Sequence, residues 1–292
     1  MAFSNKALMH GLLALSALHY GHTHPDQREP YQILSTRHQS IAIDSLSRQL
    51  HSINQDNCQA AILLAALIFI IKTFSISDQY NHGSPVTIPD LAQSFLLLQG
   101  TILTIPHAYQ HAAAAGPLAP LLTRVQPSAH PAGPFVARLD RLLALARTVF
   151  AHGPDALDAR AALVLAVEAL RHACAVLQAA DPPPGRVWAW GVGVPAAFLD
   201  MLGRGSVAAL AVLVHFAALV ERAEGRRWHV RGWAEGVVEA VERGLEAGMG
   251  GEEEGAEEWK RLVGWPVRCV REGIDIMSVA EEGYGGVSGE GG

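Results

Sequence analysis

The sequence predicts an all-α protein, and three observations support this prediction. Apolar residues recur at helical spacing along most of the 292-residue chain, whereas the alternation typical of strands is scarce. Hydrophobic residues make up 50% of the chain and charged residues only 17%, which indicates much internal surface. Alanine and leucine, both strong helix formers, are abundant. We expect a single irregular domain of roughly ten helices over residues 1–292.

The pattern divides this domain into four parts. They are a helical half (1–111), a proline-rich connection (112–134), a second helical half (135–281) and a flexible glycine-rich tail (282–292). The connection contains five prolines and therefore cannot be one regular element.

Four helices are expected in the first half, at 3–20, 31–52, 57–76 and 87–105. The first would place Leu8 and Leu12 on its apolar stripe, and the second would place Ile33, Ile41 and Leu46 near one face. The stretch "NQDNC" supplies residues that start the third helix, and the stretch "SDQYNHGSP" after it is expected to be a loop.

The second half is expected to hold helices at 135–151, 155–180, 206–222, 230–247 and 257–281, with a short segment around 187–202. Residues 207–220 are apolar except for His215, so this helix must be covered on most sides. In 230–247, Trp233, Val237 and Val241 lie on one stripe, and charged residues face outward.

The opening "MAFSNKALMHGLLALSALHYGH" contains a single charged residue, Lys6, before Gly21. One interpretation is a signal peptide, but His10 and Gly11 interrupt the apolar stretch. A membrane anchor and the exposed end of a domain with a missing upstream part are the alternatives. The twelve apolar residues at 60–71 have the length of a core helix, and we expect no membrane span.

The composition argues against several classes of function. A net charge of −6 provides no general attraction for nucleic acid. The three widely separated cysteines indicate buried thiols in a reducing compartment rather than disulfides. In the histidine pair of "HAYQH" (107–111), the first histidine is followed by alanine at the position where a helical metalloprotease motif has glutamate. The stretch "GVGV" lacks the glycine pattern of a nucleotide-binding loop. We therefore expect no catalytic residue, no metal site, no cofactor and no enzymatic activity.

Several segments, taken in order, carry a family resemblance. In the last third an apolar helix with Ala209–Leu210 and Val212–Leu213 is followed by a polar turn. Further positions that match the family pattern are Trp228, Gly232–Trp233 and Trp265–Pro266. Near the start stand "LMHGLLALSALHYG", "HQSIAIDSLSRQL", "NQDNCQAAILLAALIFI" and "DLAQSFLLLQGTILTI". Together they resemble the fungal-specific transcription factor domain, and the most similar subgroup is the sterol uptake control type. The resemblance spans nearly the whole chain.

The resemblance implies a helical regulator of transcription in the nucleus, with a co-regulator or a homo- or heterodimer partner. In the family a six-cysteine zinc cluster precedes this domain. The sequence contains no C-x2-C pair, so we expect the zinc cluster to be absent and this chain alone not to bind DNA. Met1 would then begin a shortened product, a mispredicted start or a natural regulatory fragment. The alternatives are a stand-alone lipid-, sterol- or partner-binding module, and a helical enzyme.

The sterol-type resemblance implies that an apolar, sterol-like molecule binds in a pocket. Five of the six tryptophans lie between residues 188 and 259, and apolar ligand pockets are commonly lined by aromatic side chains. His215 could orient a hydroxyl group. The predicted pocket residues are Trp188, Trp190, Phe198, Met201, Ala209, His215, Phe216, Trp228 and Trp233. The alternative is that they form only an aromatic core and that His215 bonds a backbone carbonyl.

Overall fold

The structure is a computed structural model that describes residues 5–49, 52–103, 131–150, 154–179, 182, 185–247 and 255–277. Within these ranges there is no strand, which confirms the all-α prediction. The α-helices are α1 (Lys6–Thr23), α2 (Arg28–Gln49), α3 (Cys58–Asn81), α4 (Ile88–Leu103), α5 (Pro134–Val149), α6 (Pro154–Leu177), α7 (Ala189–Gly193), α8 (Ala196–Gly203), α9 (Val207–Glu224), α10 (Trp233–Glu246) and α11 (Ala256–Glu272). Two short 3-10 helices, Pro25–Gln27 and Arg186–Trp188, complete the regular structure of the described ranges.

Helices α1 and α2 form an antiparallel hairpin that packs on α3. The buried face of α1 consists largely of alanine and glycine, because α3 approaches closely: a Cβ on Gly11 would lie 2.7 Å from Leu64 Cδ1. The predicted stripe is therefore only partly right. Leu8 is buried, but Leu12 points away from the core with 38% of its surface exposed.

The predicted apolar face of α2 is largely wrong. Leu46 is buried, whereas Ile33 is 66% exposed and Ile41 is 36% exposed. The face that α2 turns to α1 includes the small residues Ser35 and Ala42 instead, and the Ser35 hydroxyl donates to the Ala14 carbonyl oxygen (2.8 Å). Small side chains let the two backbones approach, and Ile33 and Ile41 point outward.

Helix α9 forms the centre of the second half. Every residue from Val207 to Val220 is buried, and α6, α8, α10 and α11 pack around the helix. This confirms the expectation that a helix so uniformly apolar must be covered on most sides.

The two halves share one hydrophobic core. Phe69 of α3 and Phe95 of α4 lie in the same buried cluster as residues of α6 to α11. Hydrogen bonds also cross between the halves: the Asn81 side-chain amide donates to the Arg231 carbonyl oxygen (2.9 Å), and the Ser77 hydroxyl donates to that of His229 (3.2 Å). The domain boundaries that the sequence predicts stay a prediction.

Some helix ends differ from the predictions. Helix α3 continues to Asn81 and so includes the first part of the expected loop. Ser77, at the start of that stretch, is buried and donates a hydrogen bond to the Thr73 carbonyl oxygen. Helix α11 ends at Glu272, where Gly273 adopts a left-handed conformation (φ 66°) that favours glycine. Most of the predicted connection at 112–134 and the whole tail at 282–292 lie outside the described residues.

Among the described helices, α3 alone is long and apolar enough to cross a membrane, judged by length and composition. Of its most apolar window, 61% is buried inside the fold. Helices α8 and α9 pass the same test only as a pair, and they are bent by 105°. Such helices are weak evidence for a span, since buried core helices have the same properties.

Candidate functional site

The structure places seven of the nine predicted pocket residues in one buried core and separates the other two. The seven lie around α7, α8, α9 and the start of α10, and we call them the aromatic cluster: Trp188, Trp190, Phe198, Met201, Ala209, Phe216 and Trp233. The His215 ring meets Phe135 of α5 instead, with centroids 6.4 Å apart. Trp228 lies elsewhere, against α1 and α3.

Aromatic rings in the cluster contact one another directly. The Trp190 and Phe216 rings are stacked with centroids 4.1 Å apart, and the Trp188 and Trp233 rings meet edge to face at 5.0 Å. Phe198 meets Trp190 edge to face at 5.8 Å. Such arrangements are the favoured geometries of aromatic pairs, and they stabilise the cluster beyond simple burial.

The short segment before α8 positions two of the three cluster tryptophans, Trp188 and Trp190. The Trp190 indole nitrogen donates to the Ala166 carbonyl oxygen of α6 (2.9 Å), which satisfies its only polar group. The next residue is Gly191, and the Phe95 ring leaves no room there for a side chain. A Cβ on Gly191 would lie 2.5 Å from that ring. The Gln99 amide donates to the carbonyl oxygens of Gly191 and Val194, at 2.9 and 2.7 Å.

His215 is buried in the middle of α9. Its Nδ1 lies 2.7 Å from the Ala211 carbonyl oxygen one turn earlier. A carbonyl oxygen only accepts hydrogen bonds, so Nδ1 carries the proton in this contact and Nε2 is the acceptor nitrogen of the neutral ring. This backbone contact is the one that the packing alternative expected, and the role of His215 toward a ligand stays a prediction.

Trp188 marks the edge of the cluster. It is only partly buried, whereas the other six members are buried. Its ring contacts Phe69, Phe216 and Trp233 edge to face.

Sequence reasoning missed two members of the aromatic assembly. Phe69 and Phe95 come from the first half of the chain, and their rings face Trp188 and Trp190. Both residues lie on apolar helices. This pattern predicts that their side chains are buried, but it does not predict which side chains they contact.

Trp228 belongs to a different neighbourhood. It packs against Phe74 (5.1 Å), His19 (4.9 Å) and His22 (5.4 Å), all centroid distances. The turn that carries Trp228 leads away from α9 toward the α1–α3 surface, so closeness along the chain did not produce closeness in space.

Charged and ionisable groups lie around the cluster. Burial, and then the nearby Glu235, raise the pKa of Glu221. Glu224 is buried, accepts a hydrogen bond from the Gly185 amide (2.7 Å) and pairs with Arg227. Burial raises the pKa of the Cys174 thiol to about 11. Within the described ranges, no group of three or more His, Cys, Asp or Glu residues is arranged to hold a metal ion.

Residues 1–94 match the family model of the fungal specific transcription factor domain. The match covers 94 of the 292 residues, namely α1, α2, α3 and the beginning of α4. No curated protein and no solved structure matches the chain.

The fungal-type match and the aromatic cluster occupy different parts of the sequence. All nine predicted pocket residues lie beyond residue 94. The two parts are joined through α3 and α4, whose aromatic residues pack into the cluster. The match therefore supports a regulatory role for the chain and carries no information about a sterol or any other ligand.

Proposed function

We propose that this chain is a regulatory, effector-sensing domain of a fungal-type transcription factor that acts in the nucleus through a co-regulator or a dimer partner. The observation that carries the proposal is the match of residues 1–94 to the fungal specific transcription factor domain. The helical fold, in which the matched helices share a core with the rest of the chain, is consistent with it.

The proposed effector is an apolar, sterol-like molecule bound at the aromatic cluster. In support, the cluster is lined by rings and aliphatic groups, and α9, which carries Phe216 of the cluster, also carries the buried polar side chain of His215. The rings now contact one another, so binding must separate pairs such as Trp190 and Phe216. Binding would thus favour a second packing of α7 against α9, which is what a sensor requires.

In this proposal another module or subunit recognises the DNA. The chain carries a net charge of −6, and non-specific affinity for DNA depends on neutralising phosphates with basic residues. A gel shift at physiological salt should show no sequence-selective binding by this chain. Tight selective binding would contradict this part of the proposal.

The regulatory role can be tested by fusing the full chain to an unrelated DNA-binding domain in a fungal reporter strain. We expect the fusion to change reporter transcription and to accumulate in the nucleus, and the change to depend on sterol supply. A reporter level equal to that of the DNA-binding domain alone, in every sterol condition, would overturn the proposal.

The effector site can be tested separately with purified protein and a fluorescent sterol. We expect saturable quenching of tryptophan emission, and we expect Ala209→Trp, which would place a large ring in the buried core, to abolish it. Leu165→Trp is the matched control, since Leu165 is 56% exposed on α6. The absence of saturable binding would remove the effector site. Saturable binding without any reporter effect would favour a stand-alone lipid-binding module.

A further inference from the structure

A cleft separates the two largest hydrophobic clusters of the described residues. One cluster joins α1, α2 and α3, and the other is the main core that contains Phe69 and Leu98. The cleft between α2, α3 and α4 has a volume of about 180 Å³. Its walls are formed chiefly by aliphatic and aromatic side chains: Ile43, Leu46, Ala65, Ile68, Phe69 and Leu98.

One cation lies among these apolar walls. Lys72 is the only charged residue between Cys58 and Ser77 of α3, and it lines the cleft while half-buried. Within the described part of the chain, Lys72 makes no hydrogen bond and no ion pair. A half-buried ammonium group is normally paired, because burial without a partner disfavours the charge.

The cleft continues past Lys72 into a smaller, more polar space. This second cavity of about 60 Å³ shares Lys72, Ser94 and Leu97 with the cleft. Gln79 and Gln93 also line it, and their side-chain amides are hydrogen-bond donors. Asp90 lies there as well, and its carboxylate accepts a hydrogen bond from the Thr87 hydroxyl (2.5 Å). The arrangement is an apolar slot that ends at the Lys72 ammonium group, next to two amide side chains and an Asp90 carboxylate that is bonded by Thr87.

We propose that this cleft binds a single-chain fatty acid, with its carboxylate on Lys72 and its acyl chain between α2, α3 and α4. The single positive charge matches a carboxylate. The volume of the cleft, about 180 Å³, is smaller than the volumes of about 300–1,000 Å³ of pockets that hold larger ligands. This smaller volume favours one flexible chain over a fused-ring molecule. Along α3 the lining from Ala65 to Lys72 spans about 10 Å at the helical rise, which accommodates the chain segment nearest the carboxylate.

The fatty acid would bridge two parts of the fold. Its chain would contact Ile43 and Leu46 on one side and Phe69 and Leu98 on the other, so it would join the α1–α2 hairpin to the main core. The site adjoins the aromatic cluster at Phe69, whose ring contacts Trp188, but none of the cluster residues lines the cleft. It does not depend on the proposed role in transcription.

The test uses the purified, delipidated full chain and calorimetric titration with dodecanoate below its micelle concentration. We expect saturable binding at one site. Dodecan-1-ol, which has the same chain and no charge, should bind roughly 10- to 100-fold more weakly, as expected for a lost charged hydrogen bond. Hexanoate should bind on the order of tenfold more weakly than octanoate, because within the span of about 10 Å two methylenes fewer are buried.

Variants locate the site. Lys72→Met keeps the aliphatic stem and removes the charge, and should weaken dodecanoate binding by roughly 10- to 100-fold. Lys260→Met is the matched control, because Lys260 pairs with Glu257 on α11, and it should bind like the wild type.

A second pair of variants keeps the proposal falsifiable if Lys72→Met does not fold. Lys72→Arg retains the charge and should retain binding, whereas Ile43→Trp narrows the slot and should weaken binding. Equal dodecanoate affinity for the wild type and Ile43→Trp, equal affinity for the acid and the alcohol, or no saturable binding would each overturn the proposal.

Discussion

The indole ring of Trp190 stacks on the phenyl ring of Phe216, with centroids 4.1 Å apart and ring planes inclined by 22°. Both rings are buried, and the Trp190 nitrogen is held by the Ala166 carbonyl oxygen. The pair thus links α6, α7 and α9 in one contact. It also defines the packing that an effector at the aromatic cluster would have to change.

Phe216→Ala should lower the free energy of unfolding by about 3–5 kcal/mol, because it removes a buried ring from the centre of the core. Urea unfolding followed by circular dichroism measures the effect. Leu165→Ala, at an exposed position of α6, should change stability by less than about 0.5 kcal/mol. A loss at Phe216 no larger than that at Leu165 would contradict the packing described above.

Gly191→Ala should destabilise the fold by about 1–3 kcal/mol, because the new methyl group would lie against the Phe95 ring. The control is Gly264→Ala in exposed α11 backbone, where nothing lies within 4 Å of the added Cβ. This second change should raise stability by up to about 1 kcal/mol, since alanine favours the helix. Thermal unfolding of the two variants measures both changes in stability. A change of the same sign in both variants would contradict the close approach of Gly191 and the Phe95 ring.

The three cysteine thiols should react slowly in the native protein. All three are buried, and burial raises the pKa of Cys174 and of Cys269 to about 11, so very little thiolate exists near neutral pH. A chromogenic thiol reagent should label them only as the chain unfolds in guanidinium chloride. Rapid labelling of any of the three in native buffer would show that its surroundings are more open than described.

His38→Gln should make stability less sensitive to acid. His38 Nδ1 lies 2.8 Å from His10 Nδ1, and burial, then His10 and Arg37, lower the pKa of His38 below its ordinary value of 6.5. The unfolded chain therefore binds this proton more readily, and the stabilising contribution present above pH 6.5 is lost as the pH falls through the lowered pKa.

The measurement is the free energy of unfolding between about pH 7 and pH 5 for the wild type, His38→Gln and the control His172→Gln. His172 is exposed on α6. We expect a shallower decline for His38→Gln alone. An identical decline in all three proteins would show that His38 does not contribute.

Burial could be predicted best from the sequence where nearly all side chains of a helix are apolar. Helix α9 is apolar on all sides, so its central position followed from composition alone. Helix α1 was harder, because the rule that large apolar residues face the core was overridden by Gly11 and Ala14, which permit close packing of backbones. Leucines such as Leu12 were left outside.

The candidate site was predictable only as far as neighbours along the chain are neighbours in space. Trp188, Trp190 and Phe198 are close in both senses. Trp228 precedes Trp233 by a single turn, yet it contacts α1 and α3. Phe95 joins the cluster from about a hundred residues away. Such contacts depend on how the helices assemble, which local pattern does not specify.

The hydrogen bond from Asn81 to the Arg231 carbonyl oxygen spans 150 residues of sequence. During synthesis, the apolar helix α3 therefore leaves the ribosome long before the segment that covers its C-terminal end exists. At typical elongation rates of about 5–20 residues per second, this delay is about 8–30 s. For that period α3 presents an unburied apolar surface to the cell, so the nascent chain should be a substrate for chaperones even though the finished protein buries most of this helix.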